Sequence, residues 1–137
     1  MVDMIIVDSN IFIFAESADS PERLQALNKY KSAAQSGQIG INIIIVSEVF
    51  HKLQLFLNRA EACARLTSIL SSPEITFLDV SHTTATRAVK LARDFGMTIN
   101  DAIIAQQALD ENAAVLTDDV KDFKKLGSVK VIPLRTG

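Results

Sequence analysis

The chain has 137 residues, the usual size of one domain, and a chain near this size buries roughly 68–70% of the surface that its unfolded form exposes. We therefore expect a single domain over residues 1–137 whose core needs no disulfide. Because the formal net charge is −2, the overall electrostatic field of the protein does not help to hold a polyanion. Any contact with nucleic acid must use local basic clusters.

The single cysteine, Cys63, cannot form an internal disulfide, which is typical of a reducing, cytoplasmic compartment. Its small neighbours predict a helical setting in which a buried thiol is ordinary. Asp3 and Asp8 interrupt the early hydrophobic residues, and the later run 43–46 is too short to span a bilayer, so we expect a soluble protein. The mean hydropathy of +0.22 indicates apolar surface for a partner or another subunit.

Lysine and arginine residues form two clusters with helical spacing. Taken alone, each cluster is typical of a solvated helix face, and only a nearby catalytic site would favour contact with phosphates. The first cluster comprises Arg87, Lys90 and Arg93, and the second comprises Lys121, Lys124, Lys125 and Lys130.

The chain alternates short apolar runs with amphipathic stretches from end to end. Short β-branched runs predict buried strands, and apolar residues three or four positions apart predict helices. Serine, proline and glycine set several helix ends. The predicted elements are a strand over 4–7, a short amphipathic segment over 11–15, a helix from Ser20-Pro21 to Gly37, a strand over 39–43, a helix from about 46 to 57, a helix over 59–70, a strand over 75–80, a helix from 81 or 83 to 95, a helix from 100 to 111, a strand over 114–117, a helical turn over 119–125 and a strand over 129–133.

This alternation predicts a parallel α/β sheet with helices on both faces, because the connections are too long for hairpins. In such a sheet, ligands bind beyond the carboxyl ends of the strands, where the strand order reverses. Asp8 ends the first strand and Asp119 follows the strand over 114–117, while Glu48 and Asp101 occupy the first turns of their predicted helices. We expect these acids to converge at one edge.

Each acid also has a purely structural explanation. Asp8 and Asp119 could cap the helical segments that follow them, and Glu48 could be a solvated helix residue. Asp101 could complete a capping box with Thr98, three residues earlier.

Converging carboxylates raise one another's pKa unless a cation neutralises them, so the arrangement predicts a divalent ion. The donors are all oxygen, which favours Mg²⁺ or Mn²⁺ over zinc. Such an ion can activate water and stabilise charge on a phosphate, and a second ion could assist the leaving oxygen, which suits phosphodiester hydrolysis.

Four segments, in this order along essentially the whole chain, resemble the motifs of the PIN-domain ribonucleases. They are residues 6–11 (IVDSNI), 47–49 (SEV), 100–105 (NDAIIA) and 116–123 (LTDDVKDF). The resemblance implies a three-layer α/β/α sandwich with a five-stranded parallel sheet. It also implies catalytic acids at Asp8, Glu48, Asp101 and Asp119, of which Asp8, Asp101 and Asp119 are the expected metal ligands, with Asn10 and Thr117 as polar support.

The compact size is similar to that of the VapC-like toxins of type II toxin-antitoxin pairs. Those proteins cut RNA, form homodimers and are silenced by a partner antitoxin. The resemblance therefore implies an RNA substrate, a possible antitoxin and a homodimer.

Asp118 and Asp119 compete for the fourth acidic position, and the family spacing before Val120 favours Asp119. Asp122 is a possible fifth, peripheral acid. His51, His82 and Cys63 match no role in the family and are expected on the surface or in the core.

Two other functions stay open. One is a phosphatase or phosphoreceiver with Asp8 as the nucleophile, although no second acid follows two residues later and no lysine motif is evident. The other is a catalytically silent PIN-like module that only binds a protein partner.

Overall fold

The computed structural model describes residues 3–135, and its centre is one sheet of five parallel strands in the order β3-β2-β1-β4-β5. The predicted α/β fold class is therefore confirmed. The elements in chain order are β1 (Met4–Val7), α1 (Ser9–Glu16), α2 (Arg23–Ser36), β2 (Gln38–Ile41), α3 (Ile43–Leu53), α4 (Arg59–Ser71), β3 (Ile75–Phe77), α5 (His82–Phe95), α6 (Ile99–Asp110), β4 (Ala114–Thr117), α7 (Val120–Lys124) and β5 (Lys130–Pro133).

The strand order reverses between β1 and β4, because the chain first moves outward through β2 and β3 and then returns to build β4 and β5. Right-handed crossovers place the helices of the two directions on opposite faces of the sheet. The contacts agree, since α1 packs against α2 and α3, α3 packs against α4, and α6 packs against α5 and α7. The fold therefore has a layer of α1 to α4, the sheet, and a layer of α5 to α7.

The three central strands lie at the middle of the core, which also contains many buried side chains of the helices. Ile6 in β1 pairs with Gly40 in β2 on one side and with Val115 in β4 on the other. The side chains of Ile6, Ile39 and Val115 are fully buried, and burying an aliphatic side chain of this kind contributes roughly 1.5–3 kcal/mol. This apolar centre fixes where the carboxyl ends of β1 and β4 lie.

The boundary between β2 and α3 differs from the prediction. The strand ends at Ile41, and the helix begins at Ile43 because the Asn42 side chain accepts a hydrogen bond from the Ile45 backbone N–H at 2.9 Å and caps the first turn. The apolar run 43–46, whose first residue was predicted to end a strand, is therefore helical. As a consequence Glu48 lies in the second turn of α3, not in the first.

Smaller differences occur elsewhere. α2 begins at Arg23, because the Ser20 hydroxyl accepts from the Glu22 N–H before the helix instead of capping it. β3 ends at Phe77, three residues before its predicted end. Cys63 is exposed on α4 and is not a buried thiol. Within residues 3–135, no helix combines the length and the apolar character needed to cross a membrane.

Candidate metal centre

Asp8 lies directly after β1 and is 4% exposed. One carboxylate oxygen accepts from the Ser9 N–H at 2.8 Å, which caps α1, and the other accepts from the Thr117 hydroxyl at 2.8 Å. The capping role and the placement at the sheet edge therefore coexist. The two donors lie at the ends of different strands, β1 and β4, so both oxygens of Asp8 are fixed in direction.

Asn10 and Thr117 tie the carboxyl ends of β1 and β4 together. The Thr117 hydroxyl oxygen accepts from the Asp119 N–H at 2.9 Å, and the Asn10 amide oxygen accepts from the Asp118 N–H at 3.1 Å. The Asn10 amide nitrogen lies 3.5 Å from the second oxygen of Asp8. This network fixes the backbone of the loop that carries both candidate acids after β4.

Asp101, Asp119 and Asp122 form the tightest acidic group among the described residues, with one carboxylate oxygen from each within 4.8 Å of the others. Asp101 lies in the first turn of α6, where its backbone N–H donates to the capping Thr98 hydroxyl at 3.2 Å. The Asp119 side chain makes no capping bond to α7, which leaves its carboxylate directed into the group.

Asp122, expected as a peripheral acid, has a carboxylate oxygen within 4.8 Å of one oxygen each of Asp101 and Asp119. Asp8, Asp101 and Asp119 were the expected ligands, whereas the mutually close oxygens include Asp122 and omit Asp8. The available signal was the spacing, because residues three apart share a helix face and Asp122 follows Asp119 by three positions across the first turn of α7.

Glu48 approaches the same place from the opposite helix layer. Its carboxylate accepts from the Asn100 side-chain amide, at the start of α6, at 3.4 Å. Its charge contributes to raising the pKa of Asp8 and of Asp101. In the sequence, Asn100 indicates only a helix start, and no local pattern predicts a contact between residues on α3 and α6.

Burial and mutual repulsion raise the pKa of two of these acids. Burial raises the pKa of Asp8 to about 6, against the lowering effect of the Thr117 and Ser9 hydrogen bonds. Burial, followed by the charges of Asp8, Asp119, Asp122 and Glu48, raises the pKa of Asp101 to about 7. Without a cation, protons are therefore retained at this edge near neutral pH.

Asp119 and Asp122 behave as a hydrogen-bonded pair. Burial and the hydrogen bond with Asp122 raise the pKa of Asp119, while the same hydrogen bond and Lys125 lower the pKa of Asp122. The Lys125 ammonium lies 3.3 Å from an Asp122 oxygen. One member of the second basic cluster therefore borders the acids directly.

Asp118 is engaged elsewhere. Its two oxygens accept from the Arg135 guanidinium at 2.9 and 3.1 Å, and Arg135 also donates to Glu22 at 3.2 Å. The adjacent acids thus have different partners, and Asp119 is the one that joins Asp101 and Asp122.

The other predicted groups are the two histidines and the first basic cluster. His51 and His82 are exposed. In the first basic cluster, Arg87 lies 3.9 Å from Asp110, and Arg93 pairs with its neighbour on α5 at 2.8 Å. These contacts fit the solvated-face interpretation of that cluster.

The donor set of the acidic group fits a hard divalent cation. Its candidate ligands are carboxylate oxygens, which Mg²⁺ and Mn²⁺ prefer, and no thiol or imidazole belongs to the group.

A sequence model of the PIN domain matches residues 5–129. The chain belongs to the PIN domain family. A search of curated proteins gives no match.

Solved structures of similar fold cover nearly the whole of this PIN domain. VapBC2 from Rickettsia felis bound to a promoter DNA fragment is 20% identical, with a TM-score of 0.75 over 95% of this chain and 98% of that chain. A toxin-antitoxin complex from Klebsiella pneumoniae is 21% identical, with a TM-score of 0.75 over 97% and 99%. VapC20 from Mycobacterium tuberculosis, a toxin that cleaves the sarcin-ricin loop, is 17% identical, with a TM-score of 0.76 over 94% and 99%. At these identities the similarity establishes a shared fold.

Proposed function

We propose that this PIN domain is a metal-dependent endoribonuclease that hydrolyses phosphodiester bonds of RNA, and that it is the toxin of a toxin-antitoxin pair. The observation that carries the proposal is the convergence of acids from three helices and two strand ends at the point where the strand order reverses. Membership of the PIN family supports the same conclusion.

In this proposal Asp101, Asp119 and Asp122 hold Mg²⁺ or Mn²⁺, with Asp8 and Glu48 at the border of the site. When bound, a divalent ion lowers the pKa of the water molecule that it coordinates and stabilises negative charge on the phosphate. The protein's own groups prepare this chemistry. Thr117 and Asn10 keep Asp8 oriented, so that little reorganisation is needed when substrate arrives.

The local charge distribution supports an RNA substrate. The overall charge of −2 gives no attraction for a polyanion, but Lys121, Lys124 and Lys125 lie on or beside α7, the helix that carries Asp122. Phosphates that flank the cleaved bond can contact these lysines. The attraction between lysine and phosphate acts locally and weakens with salt, so it can operate at this helix although the net charge of the protein is negative.

The comparisons support a protein partner. Two of the similar structures are a toxin-antitoxin complex and a VapBC assembly on promoter DNA. Exposed apolar side chains, including Leu24, Ile43 and Phe56, provide surface that an antitoxin or a second copy can cover. We propose a cytoplasmic homodimer silenced by such an antitoxin.

Phosphatase chemistry at Asp8 is less well supported. A nucleophilic carboxylate must reach substrate phosphorus, whereas Asp8 is buried and both its oxygens already accept hydrogen bonds. A silent binding module is less well supported because its acids would repel one another without any compensating use.

The test is the product formed from two substrates. Purified protein is incubated with single-stranded RNA and with a small phosphomonoester, each with Mn²⁺ or with EDTA. The proposal predicts cut RNA only with Mn²⁺ and no phosphate from the monoester. Phosphate release without RNA cleavage would favour the phosphatase, and inactivity on both substrates would favour the silent module.

A further inference from the structure

A buried pair of amides lies at the same sheet edge as the acids. The Asn42 side-chain nitrogen donates to the Gln107 side-chain oxygen at 2.7 Å, and the two residues are 0% and 4% exposed. The Asn42 oxygen is used as well, because it accepts from the Ile45 N–H at 2.9 Å as the cap of α3. One side chain therefore both begins α3 and contacts α6.

Gln107 completes the network toward the next strand. Its side-chain nitrogen donates to the backbone oxygens of Leu78 at 3.4 Å and Asp79 at 3.2 Å, directly after β3. The pair thus joins the carboxyl ends of β2 and β3 to helix α6. The buried polar atoms of both side chains are thus satisfied, as are all other buried side-chain polar atoms of residues 3–135.

The two amides belong to opposite helix layers, as do two of the acids. Asn42 precedes Glu48 by six residues on α3, and Gln107 follows Asp101 by six residues on α6. Six helical residues span about 9 Å along a rigid axis, so a shift at the amide pair is transmitted to the acids. Another hydrogen bond that joins these helices near the site, between Asn100 and Glu48, is longer at 3.4 Å.

We propose that Asn42 and Gln107 are positioning residues that set the separation of Glu48 and Asp101 by locking α3 to α6. The proposal rests on the proposed metal-dependent cleavage for its kinetic consequence. Apolar packing between layers is non-directional, whereas a buried amide pair fixes one relative placement of the two helices. A displacement of about 1 Å at a catalytic group can cost on the order of 100-fold in rate.

The test compares two neighbouring glutamines on α6. Gln107→Met removes the contact between the layers with little change in volume. The matched control is Gln106→Met, because Gln106 is 7% exposed and its side-chain nitrogen donates to Asp110 at 2.9 Å within α6. Both variants lose a buried amide, but only the first loses the connection to α3. For each we would measure kcat and KM on RNA and the Kd for Mn²⁺ by calorimetry.

We expect Gln107→Met to lower kcat by about 10–100-fold and to weaken Mn²⁺ binding by about tenfold, as for groups that orient metal ligands. KM for RNA should change by less than about threefold, since the groups that contact phosphates are unaltered. Gln106→Met should keep kcat and the Mn²⁺ Kd within about threefold of wild type. Equal effects of the two substitutions on kcat and Mn²⁺ affinity would overturn the proposal.

Asn42→Ser keeps the test decisive if Gln107→Met does not fold. Serine can still cap α3 but is too short to reach Gln107, so the same losses of kcat and Mn²⁺ affinity are expected. Unchanged Mn²⁺ affinity in a folded Asn42→Ser protein would overturn the positioning role. Failure of the wild type to cut RNA would refute the proposed function alone, because the Mn²⁺ titration of the variants needs no RNA.

Discussion

Asp118 and Asp119 are adjacent in sequence but have opposite surroundings. Asp118 pairs with Arg135 on the surface, while Asp119 faces Asp101 and Asp122. We predict that Asp119→Asn lowers RNA cleavage by at least about 10–100-fold, because a ligand or close supporter of the metal is lost. Asp118→Asn should leave cleavage largely intact and change stability by about 1 kcal/mol or less, as for an exposed ion pair.

The comparison between these two variants needs rates at saturating Mn²⁺ and at low Mg²⁺, since a high metal concentration can hide a defect in affinity alone. The assignment of the fourth acid to Asp119 fails if Asp118→Asn abolishes cleavage and Asp119→Asn does not.

Asp101 should make the stability of the metal-free protein depend on pH. Its pKa rises from 3.8 to about 7 on folding, so between these values the folded state binds more protons than the unfolded state. The contribution of Asp101 to stability is therefore lost as pH rises from about 4 to about 7. In EDTA, Asp101→Asn should be more stable than wild type at pH 8 by about 1 kcal/mol, after allowance for solvent screening.

That advantage should shrink at pH 4.5, because folded Asp101 is protonated there and most of the loss of stability that occurs between pH 4 and pH 7 has not yet taken place. Urea unfolding at the two pH values measures it. A difference between variant and wild type that stays constant with pH would contradict the raised pKa.

At the scale of elements, hydrophobic spacing predicted most of the fold. Strands β1 and β4 follow directly from short apolar runs, whereas α6 begins at Ile99, one residue before its predicted start, because Thr98 caps it. The run of isoleucines after Asn42 could not be assigned from composition, because a short apolar run fits either a strand or the first turn of a helix. A tertiary contact decides it, since Asn42 turns toward Gln107 and caps the helix.

The same limit applies to the candidate site. Asp8 and Asp119 could be placed because strand ends meet at one edge, and Asp101 because it begins a helix there. The spacing of Asp119 and Asp122 indicates a shared helix face, but the approach of Asp122 to Asp101 and the contact between Asn100 and Glu48 depend on how α3, α6 and α7 pack. The spacing of residues along one helix does not show how separate helices pack.

The end of α5 provides a test at this scale. Gly96 has φ of 64°, in the left-handed region, and a Cβ built there meets no atom within 4 Å. Gly96→Ala should therefore destabilise the protein by about 1 kcal/mol through backbone conformation alone. Asn112 has φ of 50°, so Asn112→Gly should be neutral or stabilising.

Urea midpoints of Gly96→Ala and Asn112→Gly measure both effects. Equal destabilisation by the two substitutions would contradict a conformational cause. Gly96→Ala places a side chain on a residue with positive φ, whereas Asn112→Gly removes one from such a residue.

At the scale of the whole molecule, an ion that binds only the folded acids should stabilise the entire domain. Binding at 100 times the Kd adds about 2.7 kcal/mol, which shifts the Tm of a domain of this size by several degrees. We predict that Mn²⁺ raises the Tm of wild type near neutral pH and that Asp101→Asn reduces the shift. Asp94→Asn, an exposed acid paired with Arg93, is the control and should keep the full shift.

Equal Tm shifts in wild type and Asp101→Asn would place the bound ion elsewhere on the molecule. A smaller shift in Asp94→Asn than in Asp101→Asn would have the same meaning.

The acids at the sheet edge are proposed to act together on RNA through a divalent ion, and the rate of RNA cleavage across a Mn²⁺ titration tests this most directly. Single-turnover rates of wild type and Asp101→Asn would be measured from EDTA to saturating Mn²⁺. We predict no cleavage in EDTA, a saturable rise with Mn²⁺ in wild type, and a rate at least about 10–100-fold lower in the variant at saturation. Cleavage that persists in EDTA, or equal rates for the two proteins at every Mn²⁺ concentration, would contradict the proposed site.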